Sequence, residues 1–234
     1  DSPPAQKALA ELDEVIGKLA TQAEQSYTEE KPLWLVASEY TITPVDHVAY
    51  PNRLLRQAGL LEVKDNGGEL IDFQSSKAWA LVDHQFSHVF VKKADPATIQ
   101  TVVQIFRGQE GIAEVLAGRD RAKYGLDHER AGEVILISTP NSWQAYYYWL
   151  YDAKAPKFAR TVDIHNKPGY DPVELHFDMA TKSIPLDASL VKGSHGAPAT
   201  SDAQRGVLLS SKQGVLAGTS LKDTDVCGLV MKQF

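Results

Sequence analysis

The chain has 234 residues, of which 43% are hydrophobic and 23% charged, and its 24 Lys and Arg against 30 Asp and Glu give a formal net charge of −6. This is the composition of an ordinary globular domain, and it excludes collagen-like, disordered and low-complexity classes. The acidic balance, with no basic cluster to neutralise phosphates, argues against nucleic-acid binding. The single cysteine, Cys227, excludes an intrachain disulfide framework. No apolar run approaches the roughly 20 residues of a membrane-spanning helix, so no membrane span is predicted.

The chain opens on a predicted amphipathic helix. Ser2 is a suitable N-cap, and Pro3 suits the first helical position. The apolar residues that follow recur every three or four positions and so share one face: Leu9, Leu12, Val15, Ile16 and Leu19. Because an opening helix without a preceding strand is unusual for an α/β domain, we expect the amino-terminal part of the same domain to lie upstream and to be a partner of this chain.

Apolar runs and helical patterns alternate along the rest of the chain. The run at 33–37 is continuous, which is typical of a strand buried on both faces of a parallel sheet. Strands are also predicted at 70–73, 78–82, 89–91, 133–138 and 207–210, and helices at 52–58, from 95 onwards, at 112–116 and at about 223–232. Residues 141–205 show little periodicity and are predicted to form an irregular excursion. The alternation predicts a single α/β domain over 1–234, a mostly parallel sheet flanked by helices.

Open α/β sheets bind ligands beyond the carboxyl ends of their strands, and two polar clusters lie at such positions. Glu39 and Tyr40 directly follow the first predicted strand. Asp83, His84 and His88 lie between two further strands. The spacing of His84 and His88 places both on one face whether the segment is a strand or a helical turn. The spacing therefore does not distinguish functional histidines from hydrogen-bonded structural ones.

A third group combines Asp163 and His165 with the segment Gly193-Ser194-His195-Gly196. Glycine costs backbone order, but it allows a ligand to come close to the chain. Glycines on both sides of His195 therefore favour a functional role for that histidine. The aromatic run 143–149 could stack on a ring, but such a run more often belongs to a hydrophobic core. Cys227 lies on an apolar helical face and is interpreted as a small core residue.

Several segments together resemble one known family. Their order and spacing carry the resemblance, since each motif alone is weak. The segments are Asp1-Ser2-Pro3, Ala10-Glu11-Leu12-Asp13, Ser38-Glu39-Tyr40, Asn52-Arg53, the stretch 127–133, the stretch 167–172 and Lys192-Gly193-Ser194-His195-Gly196. The chain resembles the type I phosphodiesterase/nucleotide pyrophosphatase-like branch of the alkaline phosphatase superfamily, over nearly its whole length.

The resemblance implies a phosphohydrolase with two divalent metals, commonly zinc, and a Thr or Ser nucleophile that would lie upstream of residue 1. His195 matches the late metal-binding histidine of the family. Glu39 and Tyr40 occupy the positions of the Asp and His in the Asp-His-Gly motif, where Thr41 replaces the glycine. A free phenol has a pKa of about 10 and binds metal well only when ionised, which puts one of the two metals in doubt. Asp83-His84 and Asp163-His165 are candidates to replace the lost ligand.

The function implied by the resemblance is metal-dependent hydrolysis of a small phosphate-ester substrate, of the phosphodiesterase or nucleotide pyrophosphatase type. Two alternatives stay open. A metal-depleted relative would act as a non-catalytic binding or accessory protein, and a phosphomutase of the same superfamily would share the metal ligands.

Overall fold

The computed structural model of the protein describes residues 2–161, 176–216, 218 and 220–234. The chain divides into two compact units. The smaller unit combines Asp1–Glu39 with Gly206–Phe234, and the larger unit is Tyr40–Arg205.

Short strands and a few helices make up the described residues. In chain order they are α1 (Pro3–Ser26), β1 (Leu35–Ala37), β2 (Thr43–Pro44), β3 (His47–Ala49), α2 (Pro51–Gln57), β4 (Val63–Asp65), β5 (Glu69–Ile71), β6 (Ala78–Asp83), β7 (Phe86–Val91), α3 (Pro96–Phe106), β8 (Ile112–Ala117), β9 (Val134–Ser138), β10 (Ser142–Gln144), β11 (Gly193–Ser194), β12 (Leu208–Ser210) and α4 (Asp225–Met231).

A four-stranded sheet with the order β6-β7-β9-β8 forms the centre of the larger unit. All five residues of β9 are buried, and every second residue of β6 faces the core. Helix α3 packs against β8 and β9 and buries Val102 and Phe106 completely. Its N-cap is Asp95, whose side chain accepts the Thr98 N–H at 2.8 Å.

The aromatic run 143–149, which begins in β10, is buried in the same core, as the core interpretation predicted. Its residues are at most 3% exposed, and the rings pack on one another edge-on or stacked. The buried residues of the run are Trp143, Ala145, Tyr146, Tyr147, Tyr148 and Trp149.

The α/β class is confirmed, but the prediction of a mostly parallel sheet needs correction. All three ladders of the four-stranded sheet are antiparallel. A two-residue turn, His84-Gln85, joins β6 to β7, and so short a connection can only link antiparallel strands. Strands β3 and β10 form a parallel pair.

The predicted helix at 112–116 is wrong, because these residues form strand β8. A short apolar run does not distinguish a strand from a helix by its periodicity. Pairing with the buried strand β9 decides the conformation, through a ladder that joins Ile112 to Ser138 and Ala117 to Val134.

In the smaller unit, β1 pairs antiparallel with β12, and the Ser38 hydroxyl accepts the Val207 N–H at 2.7 Å. The prediction that the first strand is buried on both faces is wrong, because Val36 and Ala37 are exposed. Cys227 is exposed as well, which corrects its interpretation as a core residue. None of the helices in the described part of the chain has both the length and the apolar character needed to cross a membrane.

Candidate active site

The turn between β6 and β7 is held in place by Gln85. His84, at the tip of the turn, has a φ of 53°, in the left-handed region. Gln85 is buried, and its backbone N–H donates to the His195 carbonyl at 2.9 Å. The side-chain amide of Gln85 donates to the Ser142 carbonyl at 2.9 Å, and its carbonyl oxygen accepts the Ala197 N–H at 3.3 Å. These hydrogen bonds tie the turn that carries His84 to the segment that carries His195.

Strand β11, which directly precedes His195, also holds this histidine in place. Ser194 pairs with Thr43 of β2, and the Val45 N–H donates to the Lys192 carbonyl at 3.0 Å. Gly196 follows His195 with a φ of 107°, a conformation that residues with a side chain rarely adopt. The glycine therefore lets the chain turn immediately after the histidine.

Three of the predicted site residues meet in the larger unit. The rings of Tyr40 and His195 stack with centroids 3.5 Å apart and planes 2° from parallel. The rings of His84 and His195 lie 4.0 Å apart at an angle of 40°. Asp83 Oδ1 is 4.0 Å from His84 Nε2, so a carboxylate lies beside the second imidazole.

These rings line a cavity of about 320 Å³. Among the described residues around it, Ile42, Leu190, Val191 and Gly193 are apolar or lack a side chain. The others carry side chains that can donate a hydrogen bond: Tyr40, His84, Trp143, His176, Lys192, Ser194 and His195. No Asp or Glu is found among these lining residues, so the cavity is rich in donors and favours an anionic ligand.

Two of the donors in the cavity wall are buried and have no hydrogen-bond partner among the described residues. They are the indole N–H of Trp143, whose side chain is 1% exposed, and the hydroxyl of Ser194, which is 3% exposed. An unsatisfied buried polar group costs about 1–3 kcal/mol, so such groups need an explanation. The sequence did not single out either residue as functional: Trp143 was interpreted as core, and the nearest signal for Ser194 was its place beside His195.

The other predicted residues lie elsewhere. Glu39 is exposed and belongs to the smaller unit, so its match to the Asp of the family's Asp-His-Gly motif stays a prediction. His88 has a structural partner, because its Nδ1 accepts the Gly132 N–H at 3.1 Å. Burial lowers the pKa of His88, while the Asp83 carboxylate raises it and the Arg121 guanidinium lowers it. Asp163 and His165 lie outside the described residues.

The family resemblance implies divalent metals, and the side chains of the cavity fit such metals only in part. A catalytic zinc site takes about three protein ligands from His, Cys, Asp and Glu. Over the described ranges, no group of three such residues could hold a metal ion. The cavity offers the imidazoles of His84 and His195 and the phenol of Tyr40. These side chains alone do not make up a metal site, and any further ligands would come from other residues.

Fold and cavity together define an α/β protein in which imidazoles, a phenol, an indole and a lysine belong to the lining of one donor-rich cavity. The sequence model of the type I phosphodiesterase/nucleotide pyrophosphatase family matches residues 1–171. The chain belongs to this family, which confirms the resemblance seen in its motifs. His195 lies beyond the matched residues.

Among solved structures, the chain is similar to phosphonoacetate hydrolase from Sinorhizobium meliloti 1021 in complex with phosphonoformate, with 16% identity and a TM-score of 0.33. It is also similar to the same enzyme in complex with phosphonoacetate, with 15% identity and a TM-score of 0.32. Each match covers 49% of this chain and 29% of the other, so the matched region spans less than a third of that enzyme. No curated protein matches the sequence significantly.

Proposed function

We propose that the complete protein hydrolyses phosphate esters and that the phosphoryl group binds in the cavity beside His195. Membership of the type I phosphodiesterase/nucleotide pyrophosphatase family supports the reaction class. The location is supported by one observation: Tyr40, His84 and His195 are far apart in the sequence but line the same donor-rich cavity.

The described side chains would act by binding and orienting the phosphoryl group. Phosphoryl transfer is accelerated chiefly by positioning and by stabilising the charge on the phosphoryl oxygens. The imidazoles of His84 and His195 would donate hydrogen bonds to these oxygens, and the Lys192 ammonium would add positive charge at the cavity wall. Hydrogen bonds of Gln85 hold both histidine segments in place before the substrate arrives.

Metal dependence is a further part of the proposal. A divalent ion, zinc by family resemblance, would supply charge stabilisation and an activated nucleophile when bound. His195 and His84 would each give the ring nitrogen that does not donate to a phosphoryl oxygen, and the remaining ligands would come from Glu39, Asp163, His165 or residues upstream of this chain.

A second candidate function is binding of phosphate esters without hydrolysis. The stack of Tyr40 on His195 favours it, because the family resemblance expects a histidine ligand where the phenol stands. A protein that has lost this ligand would keep the anion-binding cavity and lose the catalytic metal.

His195→Ala in the complete protein tests the proposal. Metal content is measured by mass spectrometry, and turnover is measured with bis(p-nitrophenyl) phosphate. We expect loss of at least one metal equivalent and a fall in turnover of about 10²-fold or more, because positioning and charge stabilisation are both removed. The matched control is His128→Ala, since His128 is exposed and does not line the cavity.

Full metal content with unchanged turnover in His195→Ala would contradict the proposal. A wild-type protein that binds a phosphate ester but hydrolyses none and holds no metal would establish the binding function in its place.

A further inference from the structure

We propose that Trp143 and Ser194 form a subsite that binds oxygens of the phosphoryl group through the indole N–H and the hydroxyl. The inference rests on the proposed function for the identity of the ligand. It concerns two residues to which neither the sequence motifs nor the family match assigns a role.

Two buried donors in the cavity wall lack an acceptor among the described residues. The Trp143 Nε1–H and the Ser194 hydroxyl are shielded from solvent and find no acceptor in the described part of the chain. Both side chains are more than nine-tenths buried, and both residues line the same cavity. A ligand in that cavity is the acceptor that would satisfy both of them.

Backbone ladders hold both donors in place. Trp143 lies in β10 and pairs with Val48 of β3. Ser194 lies in β11 and pairs with Thr43 of β2, whose hydroxyl donates to the Ser194 carbonyl at 3.4 Å. Donors on strands keep their direction when the ligand is absent, which is the preorganisation that favours binding of a developing negative charge.

The chemistry of the lining groups identifies the ligand as an oxyanion. An indole N–H can only donate, so the Trp143 N–H recognises an acceptor and cannot ligate a cation. Lys192 is the cationic residue of the lining, and no carboxylate accompanies it among the described lining residues. A tetrahedral phosphoryl group offers several acceptor oxygens and can therefore contact the two buried donors and the imidazoles together.

The test uses the indole N–H resonances of the complete, ¹⁵N-labelled protein, with inorganic phosphate as the probe at constant ionic strength. Trp143→Phe assigns the Trp143 resonance and removes the donor while keeping an aromatic ring. Ser194→Ala removes the second donor with a small change in volume. Trp34→Phe is the matched control, because its buried indole N–H also has no partner among the described residues but lies outside the cavity wall.

Phosphate is expected to shift the Trp143 resonance and to leave that of Trp34 unchanged. Trp143→Phe and Ser194→Ala should each weaken phosphate binding by about tenfold or more, as expected for a hydrogen bond to a charged group. Ser194→Ala should melt at the wild-type temperature or above, because it removes a buried hydroxyl that has no partner among the described residues. If Ser194 had only a structural role, the variant would melt at a lower temperature.

An unshifted Trp143 resonance, or wild-type phosphate affinity in Ser194→Ala, would overturn the subsite. Both outcomes are independent of turnover. If phosphate shifts the Trp143 resonance in a protein that hydrolyses no phosphate ester, the subsite stands and the proposed hydrolysis fails. If the protein hydrolyses phosphate esters while the Trp143 resonance stays unshifted, the hydrolysis stands and the subsite fails.

Discussion

The phenol ring of Tyr40 lies flat against the imidazole ring of His195, with centroids 3.5 Å apart and planes 2° from parallel. A stacked neighbour restricts rotation of the imidazole about its bond to Cβ and so fixes the direction of both ring nitrogens. The stack therefore gives Tyr40 a role that is separate from any contact of its hydroxyl with a ligand.

Two variants of Tyr40 separate these roles. Tyr40→Leu removes the stack, and we expect the His195 ring proton shifts to change and hydrolysis to fall by about tenfold, since a group reoriented by a small distance loses its positioning. Tyr40→Phe retains the stack and should retain the His195 shifts. The shifts are measured by proton–carbon NMR, and unchanged His195 shifts in Tyr40→Leu would show that the stack does not orient the imidazole.

Gln85 is expected to act as a positioning residue. Gln85→Ala removes the side-chain hydrogen bonds to the Ser142 carbonyl and the Ala197 N–H, and it leaves the backbone bond to His195 in place. We expect urea unfolding to show a loss of about 1–3 kcal/mol, because buried groups lose their partners.

We also expect Gln85→Ala to lower kcat more than it raises KM, because the backbone hydrogen bond alone would hold the two histidine segments together less firmly. Gln109→Ala is the control, since that residue is exposed. A variant that loses stability and keeps wild-type kcat would limit Gln85 to a structural role.

The ion pair of Arg56 and Glu69 is expected to matter for stability. The guanidinium binds the carboxylate in a bidentate manner, at 2.5 and 2.8 Å, and both side chains are largely buried. Glu69→Gln should lower the free energy of unfolding by about 3–5 kcal/mol, because it leaves the Arg56 charge without its partner. Denaturant titration measures the loss, and Glu14→Gln, in an exposed pair of helix α1, should have little effect by comparison.

His88 should make stability dependent on pH. Burial lowers its pKa in the folded protein, and its Nδ1 must stay unprotonated to accept the Gly132 N–H. The unfolded chain takes up a proton near the ordinary histidine pKa of about 6.5. The stability contribution of neutral His88 is therefore complete above that pH and is lost as the pH falls towards the lower pKa of the folded state.

His88→Gln tests this dependence through urea unfolding at several pH values between about 5 and 8. The variant should lose less stability than the wild type as the pH falls. Parallel curves for the two proteins would mean that His88 does not titrate differently in the folded and unfolded states.

The apolar stripe of helix α1 is exposed. Leu9, Leu12, Val15 and Leu19 are between 51% and 68% exposed. Exposed apolar surface of this kind marks a partner surface or a site of aggregation. We expect residues 1–234, expressed alone, to self-associate, and Leu12→Glu with Leu19→Glu to shift sedimentation towards the monomer. A monomeric wild-type chain would contradict the prediction.

Local features were predictable from the sequence because their physical causes are local. Ser2 caps α1 as predicted, and Asp95 caps α3 where that helix was predicted to begin, since a side-chain oxygen next to a helical pattern satisfies the first free N–H groups. The strands near 78–82, 89–91 and 133–138 were predicted because their apolar runs are bounded by polar residues. The glycines on both sides of His195 mark that segment as a candidate site in the sequence alone.

What the tertiary structure decided depends on contacts between distant residues. The directions of β7 and β8 relative to β9, and the conformation of Ile112–Ala117, follow from pairing with β9, which no local pattern encodes. The stack of Tyr40 on His195 joins residues far apart in the sequence. A buried donor without a partner, such as the Trp143 N–H, can be recognised only when all of its neighbours are known. The sequence therefore determined where the chemistry-bearing segments lie, and tertiary packing decided which of their side chains share a cavity.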